Sequence, residues 1–129
     1  ETGELGTGKT TLVRGYLRAA GHAGAVRSPT YTLIEPYPLP AGEVFHLDLY
    51  RLAAAEELEY LGLRDLERPD STLLVEWPQQ GHGALPPADL EIALDYEDSQ
   101  RRVALQSRTV KGGELLQRLQ IPAACRRLD

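Results

Sequence analysis

Residues Gly3 to Thr10 read GELGTGKT, the pattern G-x-x-x-x-G-K-T, and no other stretch of the 129-residue chain restricts the fold as tightly. A loop of this kind works because successive backbone N–H groups wrap a phosphate at the N-terminus of a helix. Side chains would block that approach, which accounts for Gly3, Gly6 and Gly8. The pattern therefore needs a strand leading in and a helix leading out. Thr10–Ala20 supplies the helix, with Leu12, Tyr16 and Ala19–Ala20 predicted on its inner side and Gly21 as its C-terminal stop. Only two residues precede Gly3, so the incoming strand is expected in a segment that this sequence does not include.

The motif assigns roles atom by atom. The run Gly3, Glu4, Leu5, Gly6, Thr7, Gly8, Lys9, Thr10 and Thr11 is the expected nucleotide-binding set. Lys9 reaches the β- and γ-phosphates, the Thr10 hydroxyl ligates Mg2+, and Thr11 adds a donor near the α-phosphate. Such a loop serves hydrolases, kinases and switches alike, so other groups must choose among them.

The rest of the chain predicts a single α/β domain. SPTYTLIEPY is interrupted by proline and reads as a loop running into an edge strand. Val44–Leu49 alternates and reads as a strand, and TLLVEW (Thr72–Trp77) reads as a buried parallel strand. Glu56–Leu63 predicts one helix with Leu58 and Leu61 on a shared face, ended by Gly62. Leu90–Tyr96 and Arg102–Ser107, separated by EDSQ, predict a hairpin, and a last helix is expected over Gly113–Leu119.

An acid at the C-terminal end of a parallel strand is the expected second metal contact, because ligands sit outside the carboxyl ends of the strands. Glu76 fits that position. Asp48 ends VFHLD in the same way and either serves the metal through water, orients the attacking water, or caps or salt-bridges near Arg51. His46 reads as a packed strand histidine. Ser28 and Thr30, around the rigid Pro29, form either a switch-like loop facing the γ-phosphate or an ordinary turn. Trp77 is predicted on the opposite face of its strand from Glu76, packed in the core, with partner contact as a second reading.

Composition narrows the class. The net charge of −5 argues against a chain that grips a nucleic-acid backbone alone, and Lys9 and Lys111 are its only lysines. Cys125 is the single cysteine, so no internal disulfide can form and a reducing compartment is expected. There is no signal-peptide pattern and no apolar run long enough to span a membrane.

GELGTGKTT, SPTYTL, HLDLYR, EELEYLGLRD and LLVEW, in this order and at this spacing, resemble the bacterial TsaE family. The likeness runs from Gly3 to about Ser107. It implies a P-loop fold with a central, mainly parallel sheet, antiparallel flanking strands and helices on both faces. It also implies ATP and Mg2+ as ligands, slow ATP hydrolysis, a cytoplasmic location, and service to the complex that makes threonylcarbamoyladenosine in tRNA. TsaB- and TsaD-like subunits are the implied partners, with tRNA met only through them. Carried over by position, Lys9, Thr30, Asp48 and Glu76 form the implied catalytic set, Thr10 and Glu76 the implied metal ligands, and Trp77 the adjacent tryptophan. Glu4 and Thr7 depart from the residues usual in the family, Asp and Ala. The family also carries a helix and a strand ahead of the loop, so the domain (residues 1–129) is expected to lack both. A small-molecule phosphotransferase, or a nucleotide-dependent binding module without useful turnover, are the competing readings.

Overall fold

Apolar runs broken by glycine and proline fold here into alternating strands and helices, seen in a computed structural model that describes residues 2–3, 9–27, 29 and 33–119. Glu4 to Gly8, Ser28 and Thr30 lie outside the described residues. The first sheet has the order β2 (Ile34–Leu39), β3 (Gly42–Asp48), β4 (Thr72–Glu76). β2 and β3 are antiparallel and joined through Pro40–Ala41, whereas β3 and β4 are parallel, in register from Val44↔Thr72 to Asp48↔Glu76. β2 carries Pro36 and Pro38, which a strand at a sheet edge tolerates because an outward N–H is dispensable there.

The second sheet has the order β1 (Thr2–Gly3), β5 (Leu90–Glu97), β6 (Gln100–Ser107). β1 is a two-residue strand paired in parallel with Ala93 and Leu94. The glycine-loop pattern is thus entered from a sheet position: Thr2 and Gly3 find their ladder partner in β5. β5 and β6 form the predicted hairpin, turning at Asp98–Ser99 with Asp98 at φ 53°, a conformation aspartate tolerates. The α/β class is as expected. Among the described residues, however, there is no single central parallel sheet; each sheet has one parallel and one antiparallel pair.

The helix after the loop, α1 (Lys9–Ala19), ends as its glycine predicts. The Gly21 N–H donates to the Arg18 carbonyl at 3.2 Å and the His22 N–H to that of Leu17 at 2.9 Å, closing the last turn. Its buried face is Lys9, Val13 and Leu17, spaced i, i+4, i+8, while Leu12 and Tyr16 are exposed, contrary to expectation. The reason is the surface it meets: Val13 and Leu17 pack on Tyr37 and Val44 of the first sheet. On the opposite face of that sheet, Leu58 and Leu63 pack against Phe45, Leu47 and Leu49. β3 is thus covered on both sides, and Val44 to Leu47 are all buried rather than alternating.

The predicted helix over Glu56–Leu63 is two short helices, α2 (Glu57–Tyr60) and α3 (Leu63–Leu66), separated by Gly62 at φ 79°. The break sends Leu58 and Leu63 inward and leaves Leu61 outside at 43% exposure. The residues of β4 ahead of Glu76 are half-buried, since β4 has one ladder partner among the described residues, not two. The last helix, α4 (Val110–Gln117), starts earlier than predicted because the Thr109 side chain caps it, accepting the Gly112 N–H at 3.1 Å. No helix among the described residues is long and apolar enough to cross a membrane.

Two expectations test this packing by denaturant unfolding. Gly42 sits at φ 140°, and a Cβ added there would lie 2.1 Å from the Asp70 carbonyl oxygen; Gly42→Ala should cost well over about 1 kcal/mol. Leu58→Ala should cost about 2–5 kcal/mol through the cavity it leaves, whereas Leu61→Ala should stay within roughly 0.5 kcal/mol.

Candidate functional site

The parallel register of β3 and β4 brings Asp48 and Glu76 to the same rung at the carboxyl ends of their strands. The strand ends are tied together just beyond, where the Leu49 N–H donates to the Glu76 carbonyl at 3.1 Å. Alternation puts His46 and Asp48 on one face of β3, the face that carries Val44 and receives α1. The first turn of α1 arrives over these side chains. Thr10 Oγ1 lies 3.5 Å from Glu76 Oε1, so the residue after the motif lysine meets the strand-end acid.

Glu76 is buried, at 3% exposure, and so is Lys9, at 5%. The other Glu76 oxygen, Oε2, is 2.5 Å from Nε2 of His46, which is wholly buried. A carboxylate taken out of water needs such partners, since an unpaired buried charge is strongly unfavourable. Asp48 is half-buried, and its Oδ1 accepts the Tyr50 N–H at 3.1 Å, the local turn expected of an aspartate that ends a strand. Burial, reinforced by the neighbouring Glu76 carboxylate, raises the Asp48 carboxyl above its usual value; the Tyr50 N–H, His46 and Lys9 oppose the rise without cancelling it.

Trp77 packs against the Phe45–Leu58 cluster, as its predicted side of the strand requires. It also does something alternation does not foresee. Its backbone is left-handed, φ 58° and ψ 51°, which turns the chain out of β4, and the Lys9 ammonium lies 4.0 Å from its ring centroid. Tyr50 stacks on the same ring at a tilted 5.0 Å. Trp77 is therefore a core residue whose exposed side seats the motif lysine.

Of the sequence-predicted site residues, Lys9, Thr10, Asp48 and Glu76 are brought together. Thr11 is exposed in the first turn of α1, and Gly3 ends β1. Glu4, Leu5, Gly6, Thr7, Gly8 and Thr30 fall outside the described residues. Sequence reasoning missed the part played by His46 and Tyr50. The signal was present in HLDLY: a histidine two residues before Asp48 shares its face, and the tyrosine follows in the turn that Asp48 makes. No group of three or more His, Cys, Asp or Glu side chains among the described residues is placed to hold a metal ion by itself. Thr10 and Glu76 nevertheless fit the donor set of Mg2+, which takes hard oxygen ligands and few of them from protein: their hydroxyl and carboxylate oxygens lie 3.5 Å apart.

Comparison with known proteins relates the chain to one family. The family described as "Threonylcarbamoyl adenosine biosynthesis protein TsaE" matches residues 2–104. The chain is 48% identical over 114 residues to the Haemophilus influenzae tRNA threonylcarbamoyladenosine biosynthesis protein TsaE, covering 88% of this chain and 72% of that one. The protein of the same name from Aquifex aeolicus is 33% identical over 102 residues, covering 78% and 68%. The crystal structure of Bacillus subtilis YdiB superposes with a TM-score of 0.72 at 27% identity, covering 90% of this chain and 71% of that one.

The raised Asp48 carboxyl predicts a pH-dependent stability. A carboxyl whose folded pKa is raised stabilises the fold when protonated, and that contribution is lost as pH rises through the folded value. Once ionised, Asp48 is thus a burden on the fold. Asp48→Asn, which keeps the acceptor for Tyr50, should raise Tm at pH 7, and the gain should shrink as pH falls toward 3.8, the usual aspartate value. Thermal melts across that range check both the sign and the window.

Proposed function

This chain belongs to the TsaE family, the threonylcarbamoyl adenosine biosynthesis proteins, and from that premise we propose that it binds ATP with Mg2+ and hydrolyses it slowly in support of tRNA threonylcarbamoyladenosine formation. The observation that carries the proposal is the meeting of Thr10, in the first turn behind the glycine loop, with Glu76 at the end of β4. A nucleotide-binding turn and a strand-end acid from 66 residues away converge on one point.

The chain's own residues divide the work. The N-terminus of α1 attracts the phosphates, and the glycines ahead of it carry no side chain to block their approach. Lys9 moves from the Trp77 ring to the β- and γ-phosphates, where its charge offsets theirs. Thr10 and Glu76 supply oxygen ligands for Mg2+, which when bound neutralises charge developing on the phosphates. Asp48, one rung across from Glu76, orients the water that attacks the γ-phosphorus as the bond to the bridging oxygen of ADP breaks. Its raised carboxyl equips it to take up the proton that this water loses. Thr30 would approach from the SPTYTL loop as a nucleotide-sensing hydroxyl.

TsaB- and TsaD-like subunits are the proposed partners, in the cytoplasm, with tRNA reached through them. The chain's net charge of −5 suits a protein that does not bind the tRNA backbone itself.

Phosphate release from ATP should be Mg2+-dependent and increase when the two partner subunits are added. Lys9→Ala should abolish nucleotide binding by calorimetry, and Glu76→Gln should lower turnover by about 100-fold or more, the scale for removing one preorganised electrostatic group. An intact-length protein that binds no adenine nucleotide would overturn the proposal. Transfer of phosphate to an acceptor other than water would replace it with the kinase reading.

A further inference from the structure

We propose that His46 is a positioning residue that fixes the orientation of the Glu76 carboxylate for its metal-ligating role, a role that rests on the nucleotide reading above. His46 is fully buried, and its Nε2 is 2.5 Å from Glu76 Oε2. Its other ring nitrogen, Nδ1, is buried and has no hydrogen-bond partner among the described residues. Among the described residues the ring's polar contact is made at Nε2, and that end is spent on Glu76.

A carboxylate is acceptor-only, so Nε2 must carry the proton in this contact. The Nε2–H tautomer leaves a bare lone pair at Nδ1, whereas the alternative would place two acceptors against each other at Nε2 and an orphan N–H at Nδ1. Gripped through Oε2, Glu76 cannot swing about its terminal torsion, which is otherwise broad. Oε1 is thereby left toward Thr10 Oγ1, 3.5 Å away. Phe45 and Leu47 on either side of His46 are buried in β3, so the imidazole itself is held by a covered strand. Partners that orient a metal ligand in this way commonly account for 10–100-fold in metal affinity or activity.

The test measures ADP affinity of the full-length chain by calorimetry, with Mg2+ and with EDTA. The readout is the gain in affinity that Mg2+ confers, which a purely structural defect would not single out. His46→Leu should lose about 10–100-fold of that gain while its affinity in EDTA stays within about twofold of wild type, a margin far inside the 10–100-fold effect. His46→Gln, whose amide N–H can stand in for Nε2–H, should restore most of the gain. His46→Asn, with its amide nearer the Nδ1 position, should not. The Gln and Asn pair also decides the matter if His46→Leu does not fold.

A Mg2+ gain that is unchanged in His46→Leu overturns the positioning role, and so does an equal loss in EDTA and Mg2+, or an Asn variant that performs as well as Gln. A wild type that gains nothing from Mg2+ overturns the metal reading of Glu76, and the positioning role with it. Long-range 1H–15N spectra of the wild-type chain give an independent check: Nε2 should be protonated, and a bare Nε2 with a protonated Nδ1 overturns the proposal.

Discussion

Two carboxylates held on neighbouring strands at the same rung set the terms for everything around them. Parallel strands lie about 4.8 Å apart, so Asp48 and Glu76 are fixed as close neighbours by the backbone ladder. Side-chain movement can do little to relieve that. The surrounding structure answers their charge piece by piece. His46 Nε2 meets one oxygen of Glu76, Thr10 faces the other, the Tyr50 N–H serves Asp48, and Lys9 lies nearby. What is left unanswered appears in the raised Asp48 carboxyl.

Lys9 keeps a buried charge beside an aromatic face. Its ammonium lies over the Trp77 ring, an interaction of about 0.5–2 kcal/mol depending on desolvation. On the proposed function, charge-assisted hydrogen bonds to phosphate oxygens, stronger than this contact, would draw the lysine toward a nucleotide. The left-handed turn at Trp77 makes this arrangement possible, because it carries the indole from the end of β4 to a place where one side touches the core and the other faces α1.

Much of this was legible in the residues, and the misses share a cause. The stop at Gly21, the proline-bearing edge strand and the β5–β6 hairpin all depend on local chemistry, and local chemistry is written in the sequence. The strand-end positions of Asp48 and Glu76 follow from the short apolar runs that lead into them. The inner face of α1 was misjudged because Leu12 and Tyr16 look more apolar than Lys9, whose burial depends on what lies opposite. β3 was read as alternating because nothing in VFHL says that helices cover both of its faces. The helix over Glu56–Leu63 does stop at Gly62, as its glycine predicts, and Leu63 opens a second short helix beyond it. For α1 and β3 the deciding contact comes from residues distant in the chain.

β2 has a consequence beyond the site. Pro36 and Pro38 stand two residues apart, so their ring nitrogens point to the same side, and the ladder to β3 runs unbroken past both. That side is therefore the outer rim of the strand, and two of its donor positions are empty. An extended segment from another molecule would find too few hydrogen bonds there to attach and lengthen the sheet. The two proline rings thus guard this edge against strand addition.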